Sequence, residues 1–460
     1  MKAETRVERD FLGEREVPVE AYYGIHAVRA AENFSVSGRR IHRSMIRALA
    51  LIKKSAALAH GQLGGLDKVK VGIIEKACDE MANGRFDAEF IIDPLQGGAG
   101  TATNMCANEI VANRANELVG SRLGSYSPVH PTDDVNLGQS TNDVFPTAVR
   151  IAAIWELRDL VDEVARLQES LQKKEAEFAH ILKIGRTQLQ DAVPVTLGAE
   201  FSAWAESISR DRWRLYRVEE RLRVVNIGGT AVGTGINASR KFQFEFVRIL
   251  RDETGIGLAR ADNLVEATQN ADVFPEISGL LKPLAVNLGK MASDLRLLSS
   301  GPRSGLGEIR LPAVQEGSSI MPGKVNPVMC EMINQVAMKV YGNDLVITHA
   351  AEMGQLELNA FLPVIMDVLL ESLTILRRGI GLFNDRCIKG LEANEQRCRE
   401  NLRGSLGILT VLAKRLGHDA MSQVYLRHLK TGEPVPDILI GEGLATAEEI
   451  EAALDNYRAD

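Results

Sequence analysis

The chain has 460 residues, with 54 Lys+Arg against 61 Asp+Glu for a formal net charge of −7, and 45% apolar against 25% charged residues. That balance excludes a general electrostatic attraction to nucleic acid or anionic lipid, and a chain this apolar is not disordered on a large scale. At roughly 100–200 residues per domain the length suits two to four structural units, and three are expected.

The N-terminal run Met1-Lys2-Ala3-Glu4-Thr5-Arg6 is charged and is followed by more charge, so no secretory signal is expected. No window offers about 18 uninterrupted apolar residues, so no membrane span is expected, and a cytoplasmic location fits. The head, residues 1–40, holds Gly13, Pro18, Gly24 and Gly38 and suits a small hairpin. Amphipathic helices are expected near 44–62 and 68–83, with another after the Gly-rich stretch 97–100.

In the centre, apolar residues recur at alternating steps of three and four, the pattern of a helix seam. Leu157, Leu160, Val164, Leu167 and Leu171 form one stripe. A second runs from Phe201, Trp204 and Ile208 to Leu215, Val218, Leu222 and Val225, with Asp211 at the skipped position. Three more begin at Leu284, Met329 and Leu369. Five stripes predict an all-α chain with a central bundle of five long helices. One helix over 147–181 would be about 50 Å long, and such helices find partners on more than one side, so a homo-oligomer is expected. After about residue 395 the pattern suits a few short helices. The expected domains are 1–140, mostly helical; 141–394, the bundle; and 395–460, a small helical tail.

Cys78, Cys106, Cys330, Cys387 and Cys398 are scattered and show no CxxC spacing, and the eight histidines include no HExxH, so neither a disulfide framework nor a zinc site is expected. No GxxxxGK[ST] or GxGxxG in its proper context marks a nucleotide cofactor. The expected chemistry therefore uses no tightly held metal and no cofactor. Gly233-Thr234-Gly235, within Gly228–Asn237, reads as a turn after a bundle helix.

Three polar, glycine-containing segments interrupt the helical pattern. The first has two pieces, Gln96–Asn104 and Gly138–Asp143, each placing hydroxyls and amides ahead of a helix. Free N–H groups and the positive dipole end there favour an anion, although Ser, Thr, Asn and Asp also cap helices for structural reasons alone. The second, Gly185–Pro194, joins two long helices and reads either as a solvated turn or as a site loop. The third, Gly317–Pro327, combines two prolines and two glycines with paired serines, a lysine and an asparagine, which suits a mobile loop closing over a ligand. Together they offer donors and one fixed positive charge, an inventory suited to a small dianion.

The run Gly317-Ser-Ser-Ile-Met-Pro-Gly-Lys-Val-Asn326 resembles the GSSxMPxKxN loop of the aspartase/fumarase superfamily, and the other two segments resemble that superfamily's remaining active-site regions in the same order. Tyr22-Tyr23-Gly24-Ile25-His26, Gly97–Thr101, Gln139–Asp143 and Gln188, where fumarases carry histidine, are similar to the aspartase branch. His130–Asn136 is similar to a fumarase stretch.

The resemblance implies elimination of ammonia from L-aspartate to give fumarate through an enediolate. By similarity Ser318 is the base. Thr101, Ser140, Thr141 and Ser319 would hold the β-carboxylate, Lys324 and Asn326 the α-carboxylate, and Asn142, Thr187 and Gln188 the ammonium group. It also implies a homotetramer with a larger helical core, whose sites are each shared by three subunits. Arg15 and Arg29 are expected to satisfy carboxylates in the head. The competing readings are a class II fumarase, another fumarate-releasing lyase, and a non-catalytic structural protein that keeps the bundle.

Overall fold

A hairpin opens the chain, with β1 (Thr5–Asp10) pairing antiparallel with β2 (Gly13–Pro18), and Gly13 takes the φ of +110° that its tight turn requires. The structure, a computed structural model, describes residues 4–456, so Met1–Ala3 of the charged terminus lie outside the described residues. Arg29 pairs with Asp10 at 2.8 Å and Arg15 with Glu32 at 3.2 Å, so both arginines serve carboxylates of the head.

Helices follow where the periodicity predicts them: α1 (Ile25–Asn33), α2 (Arg43–Leu63), α3 (Lys68–Ala82) and α4 (Thr101–Glu117). Their ends have local causes. The His42 ring accepts from Ser44 N–H to start α2, Gly64 closes it at φ +75°, and the Asp67 carboxylate starts α3 by accepting from Val69 and Lys70 N–H. The five expected long helices are α5 (Thr141–Glu177), α6 (Leu197–Leu222), α9 (Val273–Leu298), α10 (Val328–Glu352) and α11 (Leu362–Phe383). Shorter α7 (Arg240–Thr254) and α8 (Leu264–Gln269) lie between, and α12 (Glu395–Arg403) to α16 (Ala447–Asn456) form the tail. The fold class is all-α, 62% helical with a few short strands.

Helix α5 starts six residues before the expected boundary and encloses Pro146. Proline has no N–H for the carbonyl four residues back, so Asn142 C=O is released from the helix ladder. The Asn226 side-chain amide takes its place, donating to that oxygen at 3.0 Å.

Contact density divides the chain into two compact units, each discontinuous in sequence. The first comprises Met1–Val161, Arg214–Pro283 and Lys339–Ile375. Its centre is α2, buried along most of its length and packed on α3, α4 and α7. Polar pairs register its long-helix segments: Arg158 on Glu219 at 2.8 Å, Ser278 on Asp344 at 2.9 Å, and Asn343 on Ser372 at 2.9 Å.

The second unit comprises Asp162–Trp213, Leu284–Met338 and Leu376–Asp460. Asp211, the polar residue in the second stripe, is buried and accepts from Asn287 at 2.7 Å, joining α6 to α9. The segment read from sequence as a polar connection is instead a hairpin, β3 (Leu182–Thr187) with β4 (Gln190–Thr196). Val193 and Val195 alternate along β4, and the tail supplies the apolar surface that makes a lone hairpin stable. Leu182 and Ile184 pack with Leu402, Ile408 and Leu412 in one buried cluster. Ile184→Ala should lose about 2–5 kcal/mol, read as a lower urea midpoint. An unchanged midpoint would mean that the tail does not hold the hairpin.

Candidate active site

In the first unit, the N-termini of α4 and α5 lie side by side. Asn104, one turn into α4, donates from Nδ2 to Thr141 Oγ1 at 3.2 Å. Gly100, at φ +91°, has no room for a side chain, because a Cβ there would come within 2.2 Å of the Phe145 ring. Two helix starts together sum their free N–H groups and positive dipole ends, which suits an anion.

The hydroxyls differ in what they leave free. Ser140 Oγ accepts from Asn142 N–H at 3.2 Å and Thr141 Oγ1 accepts from Asn104, so each keeps its single proton to donate. Thr101 is exposed, and its hydroxyl donates to Gly98 C=O at 2.7 Å, so this proton must turn away before it can serve a ligand. Asn142 donates from Nδ2 to Ala231 C=O at 2.6 Å.

Beneath these residues lies a polar layer that periodicity does not reveal. Lys53, on α2, is fully buried, and its Nζ reaches Asn136 Oδ1 and Gln139 Oε1, each at 2.9 Å. Asn136 Oδ1 also accepts from Asn104 at 3.2 Å and Asn108 at 3.1 Å. His60, two turns on along α2, meets Leu137 C=O at 2.9 Å and stacks on Phe242. Burial draws the Lys53 ammonium down to about 7, with the Asp143 charge opposing it. Burial pushes the Asp143 carboxyl up to about 6 against backbone N–H bonds from Ser140, Thr230 and Gly228 and the Lys53 charge. Lysine inside the apolar run Leu49–Ala57 was the available signal for Lys53. For the 226–231 loop that Asp143 gathers, the chain offered none.

Two further sets stand in the second unit. Thr187 and Gln188 are exposed at the tip of the β3–β4 hairpin, where Gln188 and Leu189 take φ of +55° and +62°. That two-residue turn favours Asn-Gly, and Gln-Leu there costs on the order of 1 kcal/mol per residue. A bulge at Gly185 precedes it, where a Cβ would meet Val193 O at 2.8 Å. The hairpin is pinned from below by the fully buried Glu308, which takes Arg186 at 2.9 and 3.1 Å, Lys183 at 3.2 Å and Asn401 at 3.0 Å. Burial alone would raise the Glu308 carboxyl, but these partners hold it below the usual range.

The third set is the loop before α10. Gly317 N–H donates to Lys324 C=O at 2.8 Å, and Asn326 Nδ2 donates to Gly317 C=O at 2.7 Å, closing a neck. A Cβ on Gly317 would sit 2.4 Å from Lys324 O, so only glycine fits. Above the neck, Ser318 Oγ accepts from Ile320 N–H at 3.2 Å and Met321 N–H at 3.1 Å. Two N–H groups aimed at one oxygen stabilise its ionised form. Ser319 and Lys324 are exposed, and the Lys324 ammonium makes no ion pair among the described residues.

The structure thus brings Thr101, Ser140, Thr141 and Asn142 together in one unit; in the other it joins Ser318, Ser319, Lys324 and Asn326 in one loop and sets Thr187 and Gln188 on a hairpin tip. Among the described residues no group of three His, Cys, Asp or Glu side chains could hold a metal ion, and no helix is long and apolar enough to cross a membrane.

Residues 13–342 match the sequence model of a family described as lyase. An aspartate ammonia-lyase from Bacillus sp is 47% identical over 457 residues, covering 99% of this chain and 98% of that protein. One from Helicobacter pylori is 44% identical over 449 residues, 97% of this chain and 96% of that protein. Among solved structures, a fumarate lyase:delta crystallin from Brucella melitensis bound to cobalt matches with a TM-score of 0.95 and 48% identity over 99% of both chains. A recombinant class II fumarase from Schistosoma mansoni matches with a TM-score of 0.92 and 35% identity over 98% of both chains.

The buried lysine makes a pH prediction. In the unfolded chain this amine keeps its proton to about 10.5, whereas in the folded chain it releases it from about 7. Between those values the unfolded state binds more protons, so this group adds stability as pH rises. Lys53→Met should therefore compare best with wild type at or below about pH 7 and lose ground towards pH 10 in melting temperature. A constant difference across that range would contradict the buried ionisation.

Proposed function

We propose, on the premise that the chain belongs to the lyase family of aspartases and class II fumarases, that it eliminates ammonia from L-aspartate to give fumarate. One observation carries the mechanism: the Ser318 hydroxyl oxygen is cradled by two backbone N–H groups on a narrow-necked loop.

The proton to be removed lies next to a carboxylate, and its loss loads further charge onto an anionic group. The barrier falls when prearranged donors meet that charge as it develops. In this reading Ser140 and Thr141 donate their uncommitted protons to the β-carboxylate, with Thr101 and Ser319 completing the set, over the dipole ends of α4 and α5. Ser318, ionised within its N–H cradle and beside Lys324, takes the C-β proton once the loop closes and excludes water. Lys324 and Asn326 hold the α-carboxylate. The enediolate then collapses, forming the carbon–carbon double bond while the C–N bond breaks and its electron pair leaves with neutral ammonia. Asn142, Thr187 and Gln188 hold the ammonium before it departs. A side-chain amide at Gln188 orients that cation and does not titrate near neutral pH, which suits a leaving group that already carries its protons.

We further infer a cytoplasmic homotetramer in which each site draws on three subunits. Apolar side chains exposed on the long helices support association: Tyr216 is 76% exposed, Met338 66% and Leu345 59%.

Purified protein should release fumarate, followed by its ultraviolet absorbance, from aspartate and not from malate or argininosuccinate. Efficient release from malate alone would make it a fumarase, and release from none of the three would favour a structural role. Ser318→Ala should lower kcat by on the order of 10³-fold with little change in melting temperature. When inactive Ser318→Ala and Thr187→Ala proteins are denatured and reassembled together, part of the activity should return. Mixed assemblies that stay inactive would place each site within one chain.

A further inference from the structure

The sequence offered Gly228–Asn237 only as a turn, yet its first half wraps the start of α5. Asp143 accepts from Gly228 N–H and Thr230 N–H, both at 3.0 Å, as well as from Ser140 N–H at 3.0 Å. Asn226 Nδ2 takes the Asn142 carbonyl that Pro146 cannot serve. Ala231 C=O takes the Asn142 side chain. Asn142 is thus held at its backbone and at its side chain by one loop distant in sequence.

That loop is strained where it turns. Thr230 is β-branched and sits at φ +57°, a conformation in which such residues are outliers. It is 4% exposed, with a hydroxyl oxygen that finds no partner among the described residues. Glycine or asparagine would occupy this position at less cost, and neighbouring packing holds the strain in place: a Cβ at Gly233 would lie 2.4 Å from Leu264 O, and one at Gly228 2.4 Å from Gln243 Cγ.

A side-chain amide has a donating end and an accepting end, and a backbone carbonyl only accepts. Ala231 C=O therefore admits Nδ2 of Asn142 and repels Oδ1, so the amide cannot flip. Its oxygen is left facing away, with no hydrogen bond among the described residues. An ammonium group is all donor and needs such an oxygen.

We propose that the loop 226–231 is a positioning device that locks the Asn142 amide with its oxygen outward to accept from the substrate's ammonium group, and that the left-handed backbone at Thr230 aims the Ala231 carbonyl that does the locking. The proposal rests on the ammonia-lyase reading above, extends it to residues that do not touch substrate, and makes Thr230 and Ala231 positioning residues.

The test uses the reverse reaction on the intact enzyme, where KM for ammonium and KM for fumarate are measured separately. If wild type adds no ammonia to fumarate, the parent reading fails and the loop is not at issue. Given wild-type addition, Thr230→Gly, which accepts the same φ, should leave both constants within about twofold. Ala231→Pro, which pushes residue 230 towards extended backbone while keeping the N–H given to Asp143, should raise KM for ammonium about tenfold and leave KM for fumarate within about twofold. In an Asn142→Ala background the same proline should add less than about twofold, because the group it misaims is gone. Should Ala231→Pro fail to assemble, Thr230→Pro fixes φ near −65°, and KM for ammonium should still rise more than KM for fumarate, which also feels the N–H lost from Asp143. Equal rises in both constants, or an ammonium effect undiminished beside Asn142→Ala, would overturn the proposal.

Discussion

The buried Asp143 carboxylate is the interaction on which the donor side of the site depends. It lies at the third position of α5 and gathers N–H groups from Ser140 on one oxygen and from Gly228 and Thr230 on the other. Removing a carboxylate from water costs several kcal/mol unless its lone pairs are met, and here three backbone donors and, without direct contact, the Lys53 charge offset part of that cost. That requirement draws two stretches some 85 residues apart onto one point. Once they are there, Ser140, Thr141 and Asn142 have little freedom left.

The same logic runs one layer deeper. Lys53 has two amide oxygens as partners, and a leucine or methionine would fill the space with less desolvation. Its presence makes sense as orientation: Asn136, held by Lys53, turns Asn104, and Asn104 holds Thr141 so that its hydroxyl proton points elsewhere. On the proposed mechanism the site meets a developing negative charge and needs its donors aimed beforehand, since reorienting them during the reaction would forfeit the gain.

The second unit divides rigidity from motion. The hairpin tip carrying Thr187 and Gln188 stands on the Glu308 ion cluster and on the apolar tail, so its strained turn is held open from below. The loop bearing Ser318 is closed only at its Gly317, Lys324 and Asn326 neck, and Ile320 above it is 83% exposed. Few buried contacts anchor such a loop, which suits the closure proposed for it.

Apolar periodicity was enough to specify the all-α class, the five long helices and the short helical tail, because a helix face announces itself every three or four residues. The three polar segments were also legible, since Gly, Pro, Ser and Asn in that density serve no packing purpose. What stayed hidden shares one cause: it depends on which distant residue fills a hydrogen-bonding need. The expected helix began at residue 147, whereas α5 begins at Thr141, with Asn226 donating to the carbonyl that Pro146 leaves unserved. The β3–β4 hairpin read as a loop, because the apolar floor that stabilises it comes from residues beyond 400. Lys53 went unremarked and Gly228–Asn237 read as a turn, because Asn136 and Asp143, the partners of Lys53 and of the Gly228–Thr230 backbone, are neighbours only in space. Local sequence determines where the chain will be helical and which stretches are too polar to pack. Only the folded chain decides which buried charge meets which donor, since that pairing is set by burial and by distances of about 3 Å that spacing along a chain does not encode.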